Sequence, residues 1–390
     1  MSLKVSRRRF MGGAAAALGY MGLKPGAGLL GATRPAGLAP LQQANEYDSF
    51  AKLSSNENPY GPSDKMLEAM NTAWKYSNRY GYPDGNIRRV IAEHHGVGPE
   101  NILLGAGSGE TLEVVGHTFL EHKEKVIGVT PTFRTVYGTA TNIDADVIEL
   151  PLDDDHSQNI DLMIETTRRN YRDVGLVYLC NPNNPTGMIV PASDVRRLLD
   201  GIPEDVPVLI DEAYHHFIED SRYETSVPYV LEGRNVIVAR TFSKIYGMAG
   251  MRLGYGIAPA DLIQQMRAYS TGSVNALVKW GGVAALSDPE GEAWVKKTTL
   301  DLRKKTVAEL EAMGYECLPS ECNFFMVKTG RPVQEVRSAF RERGVLVGRP
   351  FPPMLDFLRV SIGTEDEMKR FMAAWKEILP ARAATGNGNG

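Results

Sequence analysis

The sequence has few cysteines, little net charge and no long apolar run, and each shortage excludes a class of protein. Three cysteines in 390 residues cannot form a dense disulfide framework. Cys180 lies in an apolar run, which is typical of a buried, unreactive thiol, whereas a pairing of Cys317 with Cys322 stays open. The formal net charge of −4 argues against nucleic acid as a partner, because sequence-independent binding needs a basic face.

The N-terminus has the layout of an export signal. Ser6-Arg7-Arg8-Arg9-Phe10 precedes a mildly apolar stretch, Met11 to Leu23, and a basic region followed by a short apolar region is typical of such signals. The paired arginines resemble the twin-arginine type. This predicts export to the periplasm or cell envelope without a stable membrane anchor in the mature form. If the segment is instead a disordered basic terminus, the protein is cytoplasmic.

Hydrophobic residues make up 43% of the sequence, which is enough for a large core and more than one domain. Short apolar segments alternate with helical patterns up to Pro289, which predicts an α/β domain with a mostly parallel sheet. After Pro289 a long helix, two strands and two further helices indicate a smaller α+β domain. The predicted divisions are an export signal and linker over 1–45, an N-terminal segment joining the small domain over 46–75, the large domain over 76–288, the small domain over 289–380 and a disordered tail over 381–390.

A lysine in the segment Thr241 to Gly254 is the strongest chemical signal. Lys244 follows a predicted strand, has hydroxyl residues beside it and is followed by glycines. Burial on such a loop lowers the pKa of a lysine, which makes it a nucleophile and a Schiff-base former. Ser243 and Arg252 can bind an anion nearby. Taken alone, a lysine is more often an exposed charge.

Two further loops follow predicted strands. Asp211 ends an apolar strand at the carboxyl edge of the sheet, where open α/β folds place ligands, and a carboxylate there can keep an aromatic ring nitrogen protonated. Its alternative interpretation is a helix cap. Asn184, in Asn181 to Gly187, can donate from its amide to a ring oxygen, although every residue of that segment also favours a simple turn.

The segment Leu104 to Thr111 lies between a strand and a helix and is predicted to bind phosphate, since backbone amides at a helix N-terminus bind such anions. A dinucleotide fingerprint needs the pattern G-x-G-x-x-G, but Glu110 stands where the last glycine belongs. The segment therefore favours a phosphate site over a nicotinamide site.

In this order, from about Leu53 to Ile378, the motifs resemble those of fold type I enzymes that use pyridoxal 5′-phosphate (PLP), within the class I/II aminotransferases. The resemblance is closest to histidinol-phosphate aminotransferases, on the basis of Asn56-Glu57-Asn58-Pro59, Tyr82-Pro83-Asp84, Asp211-Glu212-Ala213-Tyr214 and Arg359 to Gly363. It implies a large PLP-binding domain with a smaller α+β domain. It also implies transfer of an amino group from a small-molecule donor, histidinol phosphate or an amino acid, to a 2-oxo acid such as 2-oxoglutarate.

The resemblance also assigns roles to matched positions. Lys244 would hold PLP as a Schiff base and shuttle the proton, Asp211 would pair with the pyridinium, and Tyr214 with Asn184 would hold the phenolic oxygen. The remaining roles are phosphate binding by Ser108, Gly109, Ser243 and Arg252, ring stacking by Phe133, substrate binding by Arg359 and Asn58, and a phosphate contact by Tyr82 of a neighbouring subunit, which implies a homodimer.

Several alternatives stay open. His215 and His216 do not predict a metal site, because adjacent residues rarely converge on one ion and no cluster supports them. The same scaffold supports decarboxylation, elimination and oxygen-dependent oxidation, and a non-catalytic PLP-binding protein is a further alternative. An exported enzyme would meet little histidinol phosphate, so the sequence leaves the donor open.

Overall fold

The structure is a computed structural model that describes residues 46–122 and 124–381. The predicted export signal and linker, and the predicted tail from residue 382, lie outside the described residues. The chain divides into two units at Ser49 and Phe50. Of the first unit the structure describes one short helix, α1, Glu46–Ser49. No helix in the described ranges combines the length and apolar character needed to cross a membrane.

The second unit alternates strands and helices. Its strands are β1 Ala51–Leu53, β2 Ile102–Gly105, β3 Lys125–Thr130, β4 Asp146–Pro151, β5 Val174–Cys180, β6 Val208–Asp211, β7 Val236–Thr241, β8 Gly254–Ile257, β9 Phe324–Lys328, β10 Val345–Val347 and β11 Phe357–Ser361. Its helices are α2 Asp64–Ala73, α3 Ile87–His95, α4 Ser108–Leu120, α5 Thr135–Asn142, α6 Ile160–Asn170, α7 Ala192–Gly201, α8 Val227–Leu231, α9 Ala260–Met266, α10 Ala276–Leu286, α11 Pro289–Ala312, α12 Val333–Glu342 and α13 Glu365–Ile378.

A seven-stranded sheet in the order β2-β8-β7-β6-β5-β3-β4 is the centre of this unit. β8 runs antiparallel to β2 and β7, and the other neighbouring pairs are parallel. The prediction of an α/β fold with a mostly parallel sheet is therefore confirmed. Because β2, β3, β5, β6 and β7 point the same way, their carboxyl ends meet at one edge.

The sheet is buried on both faces, as a parallel sheet requires. Along β5 the side chains alternate between two apolar clusters: Val177 and Leu179 pack on one face, while Leu176 and Tyr178 pack on the other. This alternation follows from the two-residue period of a strand. It explains why the sequence shows β5 as an unbroken apolar run.

Two smaller sheets follow a different plan. β9 pairs antiparallel with β11, and β1 pairs in parallel with β10. A separate core that includes Phe325, Phe340 and Trp375 packs beneath them. The pairing of β1 brings the segment after Leu53 beside this core, while α2 packs against α10. The domain boundaries themselves stay a prediction.

Two helices of the C-terminal region begin directly after a residue whose side chain accepts a hydrogen bond from a backbone amide of the first turn. α13 begins at Glu365, because Thr364 Oγ1 accepts from the Glu367 amide at 3.3 Å and Glu367 Oε2 accepts from the Thr364 amide at 2.8 Å. α11 begins at Pro289, since Asp288 caps it by accepting from Gly291 N.

Candidate active site

A cavity of about 320 Å³ lies at the carboxyl edge of the seven-stranded sheet. Most of the residues predicted for the site line it, although they come from loops far apart in the sequence. Those that line it are Ser108, Gly109, Phe133, Asn184, Asp211, Tyr214, Ser243, Lys244, Arg252 and Arg359.

Lys244 lies on the loop after β7 and presents its amine to the cavity. Nζ is 3.5 Å from the carbonyl oxygen of Ser55 and 5.5 Å from the ring centroid of Tyr214. Burial, and after it the charge of Arg359, lower the pKa of Lys244 to about 8. Near neutral pH a usable fraction of the amine is therefore uncharged and nucleophilic.

Asp211 ends β6 and is only 2% exposed. Its Oδ1 accepts from the Ala213 amide at 3.1 Å, and its Oδ2 accepts from the Tyr178 hydroxyl at 3.4 Å. Burial raises the pKa of Asp211 to about 6, against the opposing effects of the Ala213 amide and Lys244. Within the described ranges it forms no ion pair, so its carboxylate suits a cationic group in the cavity.

Tyr214 follows Asp211 by three residues, and its hydroxyl is held by two amides. Asn56 Nδ2 donates to the Tyr214 oxygen at 3.0 Å and Asn184 Nδ2 donates to it at 3.3 Å. Because both acceptor positions of the oxygen are filled, the hydroxyl proton is left to donate to an oxygen in the cavity. Burial raises the pKa of Tyr214, which keeps that proton in place.

Arg359, on β11, brings a buried cation to the opposite side of the cavity. It is 7% exposed; Nη1 donates to Asn184 Oδ1 at 2.6 Å and Nη2 donates to the Ser54 carbonyl at 2.7 Å. Among the described residues its Nε has no hydrogen-bond partner. Burial lowers the pKa of Arg359 to about 10, so it stays charged at neutral pH and suits an acidic substrate group.

The loop between β2 and α4 forms a site for an anion. Ser108 and Gly109 open α4 and line the cavity. Gly107 has φ +86, and a Cβ there would lie 2.1 Å from Arg252 Nη2, so glycine lets the guanidinium approach the helix N-terminus. Arg252 Nη1 lies 3.4 Å from Ser243 Oγ and donates to it. Helix amides, a hydroxyl and a guanidinium together suit a phosphate.

Two predicted residues do not line this cavity. Tyr82 donates to the Val274 carbonyl at 3.0 Å, and no residue next to it lines the cavity. Asn58 donates to the Ile245 carbonyl at 2.9 Å and accepts from the Tyr60 amide at 2.9 Å. Asn58 therefore fixes the loop after Lys244 to the segment after β1, and the geometry does not support its predicted contact with substrate.

The neighbouring Asn56 lines the cavity and was not among the predicted site residues. It has φ 54, a left-handed conformation that asparagine tolerates, and its Oδ1 accepts from Ser361 Oγ at 2.7 Å. The motif has asparagines at both positions, and local spacing does not show which one faces the cavity. Other lining residues that were missed are Ser55, Glu57, Thr132, Thr241, Arg349 and Phe351.

Histidine and cysteine contribute no metal site in the part of the chain that the structure describes. All three cysteines are free there, and Cys180 is buried as expected. His95, on α3, is half-buried, with Nε2 2.8 Å from the Tyr255 hydroxyl.

The cavity therefore presents a nucleophilic amine, a buried carboxylate that lacks a cation, a hydroxyl donor and an anion site. A flat aromatic aldehyde that carries a basic ring nitrogen, a phenolic oxygen and a phosphate meets all four demands. The residues present fit such a group, and Phe133, 39% exposed on the cavity wall, offers an aromatic face to its ring.

Comparison with known proteins shows that this chain is similar to aminotransferases. The family model described as "Aminotransferase class I and II" matches residues 48–374. Histidinol-phosphate aminotransferases are among the relatives. The one from Moorella thermoacetica is 35% identical, over 84% of this chain and 85% of the relative. The one from Symbiobacterium thermophilum is 36% identical, over 85% of this chain and 91% of the relative.

Solved structures match as well. A protein from Erwinia carotovora atroseptica, provisionally assigned as a histidinol-phosphate aminotransferase, has a TM-score of 0.81 and 30% identity, covering 85% of this chain and 96% of that one. The histidinol-phosphate aminotransferase of Sinorhizobium meliloti in complex with pyridoxal-5′-phosphate has a TM-score of 0.79 and 24% identity, covering 90% of this chain and 100% of that one. At 24% identity, the similarity to the Sinorhizobium meliloti enzyme shows a shared fold only.

Proposed function

The chain belongs to the class I and II aminotransferase family, and from this premise we propose how its residues carry out amino-group transfer and which donor it accepts. It is a PLP-dependent transaminase. The observation that carries the proposal is the convergence of Lys244, Asp211 and Tyr214 with an anion site at one cavity.

The chain's own residues would hold PLP in a single orientation. Lys244 would hold the aldehyde, Asp211 the ring nitrogen and Tyr214 the phenolic oxygen, while the first turn of α4 with Ser243 and Arg252 would hold the phosphate. When bound, PLP withdraws electrons from the donor carbon and so weakens its C–H bond.

Lys244 then acts as the proton carrier. With a pKa of about 8, Nζ in its neutral form would take the proton from the donor carbon and deliver it to the carbon that carries the cofactor's aldehyde group. Arg359 orients the donor through its acidic group. Asn184 links the two ends of the site, because its Oδ1 accepts from Arg359 and its Nδ2 donates to Tyr214.

Replacement of the lysine tests this role. We expect Lys244→Ala to lower kcat by at least about 10³-fold, since it removes the base as well as the nucleophile. Lys305→Ala, which removes an exposed lysine on α11, is the control and should keep full activity. Unchanged turnover in Lys244→Ala would overturn the proposal.

The proposed donor is histidinol phosphate and the proposed acceptor is 2-oxoglutarate. The names of the relatives favour this donor. So does the cavity wall, because Arg349 and Arg359 both lie over the ring of Phe351, at 4.4 and 4.8 Å from its centroid. Two guanidinium groups suit a phosphate dianion, and the carboxylate of Glu57 on the same wall suits an imidazole N–H.

A donor panel with 2-oxoglutarate tests the substrate. We expect glutamate to form stoichiometrically from histidinol phosphate. Arg349→Met should lower kcat/KM for this donor by about 10- to 100-fold, the value of one charge-assisted hydrogen bond, and affect unphosphorylated donors less. An equal loss for every donor would contradict the assignment of Arg349. Release of carbon dioxide or peroxide would indicate another PLP reaction.

A homodimer is the proposed working unit, with Tyr82 reaching the phosphate site of a second copy. Its position outside its own chain's cavity supports this. Lys244→Ala and Tyr82→Phe chains, each impaired alone, should regain activity when mixed and reassembled. In the hybrid, one cavity keeps the lysine of one chain and the tyrosine of the other. No gain on mixing would mean that Tyr82 does not act across subunits.

Export by the twin-arginine route is a separate proposal, on the pattern Ser6 to Phe10 alone. An exported enzyme would meet little histidinol phosphate, so proof of export would count against that donor. Fractionation of cells that express the full chain tests it. We expect activity in the periplasmic fraction and its loss from that fraction in Arg7→Lys/Arg8→Lys. Equal cytoplasmic activity in both strains would favour a cytoplasmic enzyme.

A further inference from the structure

Glu212, the residue after Asp211, carries a second buried carboxylate that the proposed reaction does not use. It is 0% exposed. Its Oε1 accepts from the Ser226 amide at 2.6 Å, and its Oε2 accepts from Thr225 Oγ1 at 3.0 Å. Oε2 also accepts from Arg240 Nε at 3.2 Å and from Arg240 Nη2 at 2.7 Å. Every side of this carboxylate is occupied by a donor.

Arg240 lies on the neighbouring strand β7 and is 4% exposed. Its Nη2 donates to Thr225 Oγ1 at 2.6 Å, and its Nη1 is 3.5 Å from His95 Nδ1. Burial, then the charges of Arg240 and His94, lower the pKa of His95 to about 2. His95 therefore stays neutral and accepts from Arg240, while its Nε2 faces Tyr255.

None of these residues lines the active-site cavity, yet they hold the chain where Asp211 leaves the sheet. Asp211 and Ala239 are the last residue pair between β6 and β7. The Glu212 amide continues this pairing, because it donates to the Ala239 carbonyl at 2.9 Å. Asp211 itself has one amide contact and a long contact from Tyr178. The orientation of the Asp211 carboxylate therefore depends on Glu212, whose position is fixed by its own hydrogen bonds.

The pair also controls the charge beside Asp211. Burial raises the pKa of Asp211 most, and the negative charge of Glu212 raises it further. Arg240, in contact with Glu212 at 2.7 Å, opposes that charge. The other titratable groups that face Asp211 are Tyr178 and Cys180 on β5 and Lys244 after β7.

We propose that the Glu212–Arg240 ion pair is a positioning element for Asp211: it fixes the chain just after β6 and neutralises Glu212, so that Asp211 stays ionised and aimed at the ring nitrogen. This inference rests on the proposed function, in which Asp211 holds that nitrogen. Neither residue touches the cofactor, so both act through Asp211.

The pH titration of the bound cofactor's visible absorbance tests this in the holoenzyme. Glu212→Gln leaves the positive charge of Arg240 uncompensated and should lower the titration midpoint by at least about 0.5 pH unit. Arg240→Met leaves Glu212 uncompensated and should raise the midpoint by a similar amount. In both variants kcat should fall by about 10- to 100-fold, with KM close to wild type, because the carboxylate is misplaced.

Two controls separate positioning from general stability. Phe340→Leu destabilises the distant core beneath the small sheets and should leave the absorbance titration unchanged. If Arg240→Met does not yield folded enzyme, Arg240→Lys replaces it: the charge is kept, so the midpoint should stay near wild type while Glu212→Gln still shifts it. Midpoints unchanged in Glu212→Gln and Arg240→Met, or shifted in the same direction by both, would overturn the inference.

Asp211→Asn distinguishes this failure from a failure of the proposed function. If Asp211→Asn leaves the titration of the bound cofactor unchanged, Asp211 does not hold the ring nitrogen and the proposed function is wrong. If Asp211→Asn shifts the titration but the ion-pair variants do not, the positioning role alone is wrong. The melting temperature of each cofactor-free variant measures how far the substitution destabilises the fold, independently of activity.

Discussion

Asp211 and Glu212 are adjacent, equally buried carboxylates with opposite surroundings. Glu212 accepts from Arg240, Thr225 and the Ser226 amide. Asp211 accepts from one amide at 3.1 Å and a hydroxyl at 3.4 Å, and the fold gives it no ion pair in the described ranges. The fold thus satisfies the hydrogen-bonding capacity of Glu212 and leaves that of Asp211 for a ligand. Groups whose charged form is disfavoured in this way tend to cluster at functional sites.

The same contrast holds in the rest of the cavity. Arg359 keeps an Nε without a hydrogen-bond partner among the described residues. Burial, and after it the charge of Arg359, lower the pKa of Lys244 to about 8. Each of these groups is disfavoured in the cofactor-free fold and suits a group of the cofactor or substrate.

After loss of Lys244, the largest effect on catalysis is expected in Asp211→Asn. Loss of the charge opposite the ring nitrogen should lower kcat/KM by about 10³-fold, the scale of one preorganised electrostatic contact in an active site. Glu212→Gln should lose less, since it acts through Asp211. Steady-state kinetics of the two purified variants check this, and a larger loss in Glu212→Gln would break the comparison.

The next effect is on stability in Arg240→Met. It leaves Glu212 buried and without its cation, which should lower the free energy of unfolding by about 3–5 kcal/mol. As a matched control, Arg169→Met breaks an exposed pair with Glu165 on α6 and should cost under about 0.5 kcal/mol. Urea unfolding of the cofactor-free proteins measures both. Similar costs for the two would mean that the buried pair contributes little.

The smallest effects come from single hydroxyls. Tyr214→Phe removes the donor proposed for the phenolic oxygen and should lower kcat about 10-fold. Tyr178→Phe removes a hydroxyl that reaches Asp211 only at 3.4 Å, so a loss of only about two- to threefold is expected. Equal losses in the two variants would show that Asp211 depends on Tyr178 more than its geometry indicates.

The sequence predicted the fold and most of the site because each motif directly follows an apolar strand. Parallel strands bring their carboxyl ends to one edge, so Asn184, Asp211 and Lys244 had to meet once the strands were identified. Asn56 and Asn58 could not be told apart, because left-handed backbone at Asn56 decides which one faces the cavity.

The Glu212–Arg240–His95 network was not predicted either. His95 and Arg240 are far apart in sequence, and the helical pattern around His95 is that of an exposed face. Their contact depends on how α3 packs on the sheet, which is a long-range property that local periodicity does not contain.

The most direct test of the central claim is the pH dependence of unfolding of cofactor-free wild type and Asp211→Asn. The pKa of Asp211 is raised from 3.8 to about 6 by folding, so the folded wild type loses stability as pH rises across that range, and asparagine does not. We expect the two proteins to be equally stable at about pH 3 and Asp211→Asn to be more stable by about 3 kcal/mol at pH 8. Saturating PLP should reverse this order. A cofactor-free Asp211→Asn that is no more stable than wild type at pH 8 would show that the fold already satisfies this carboxylate.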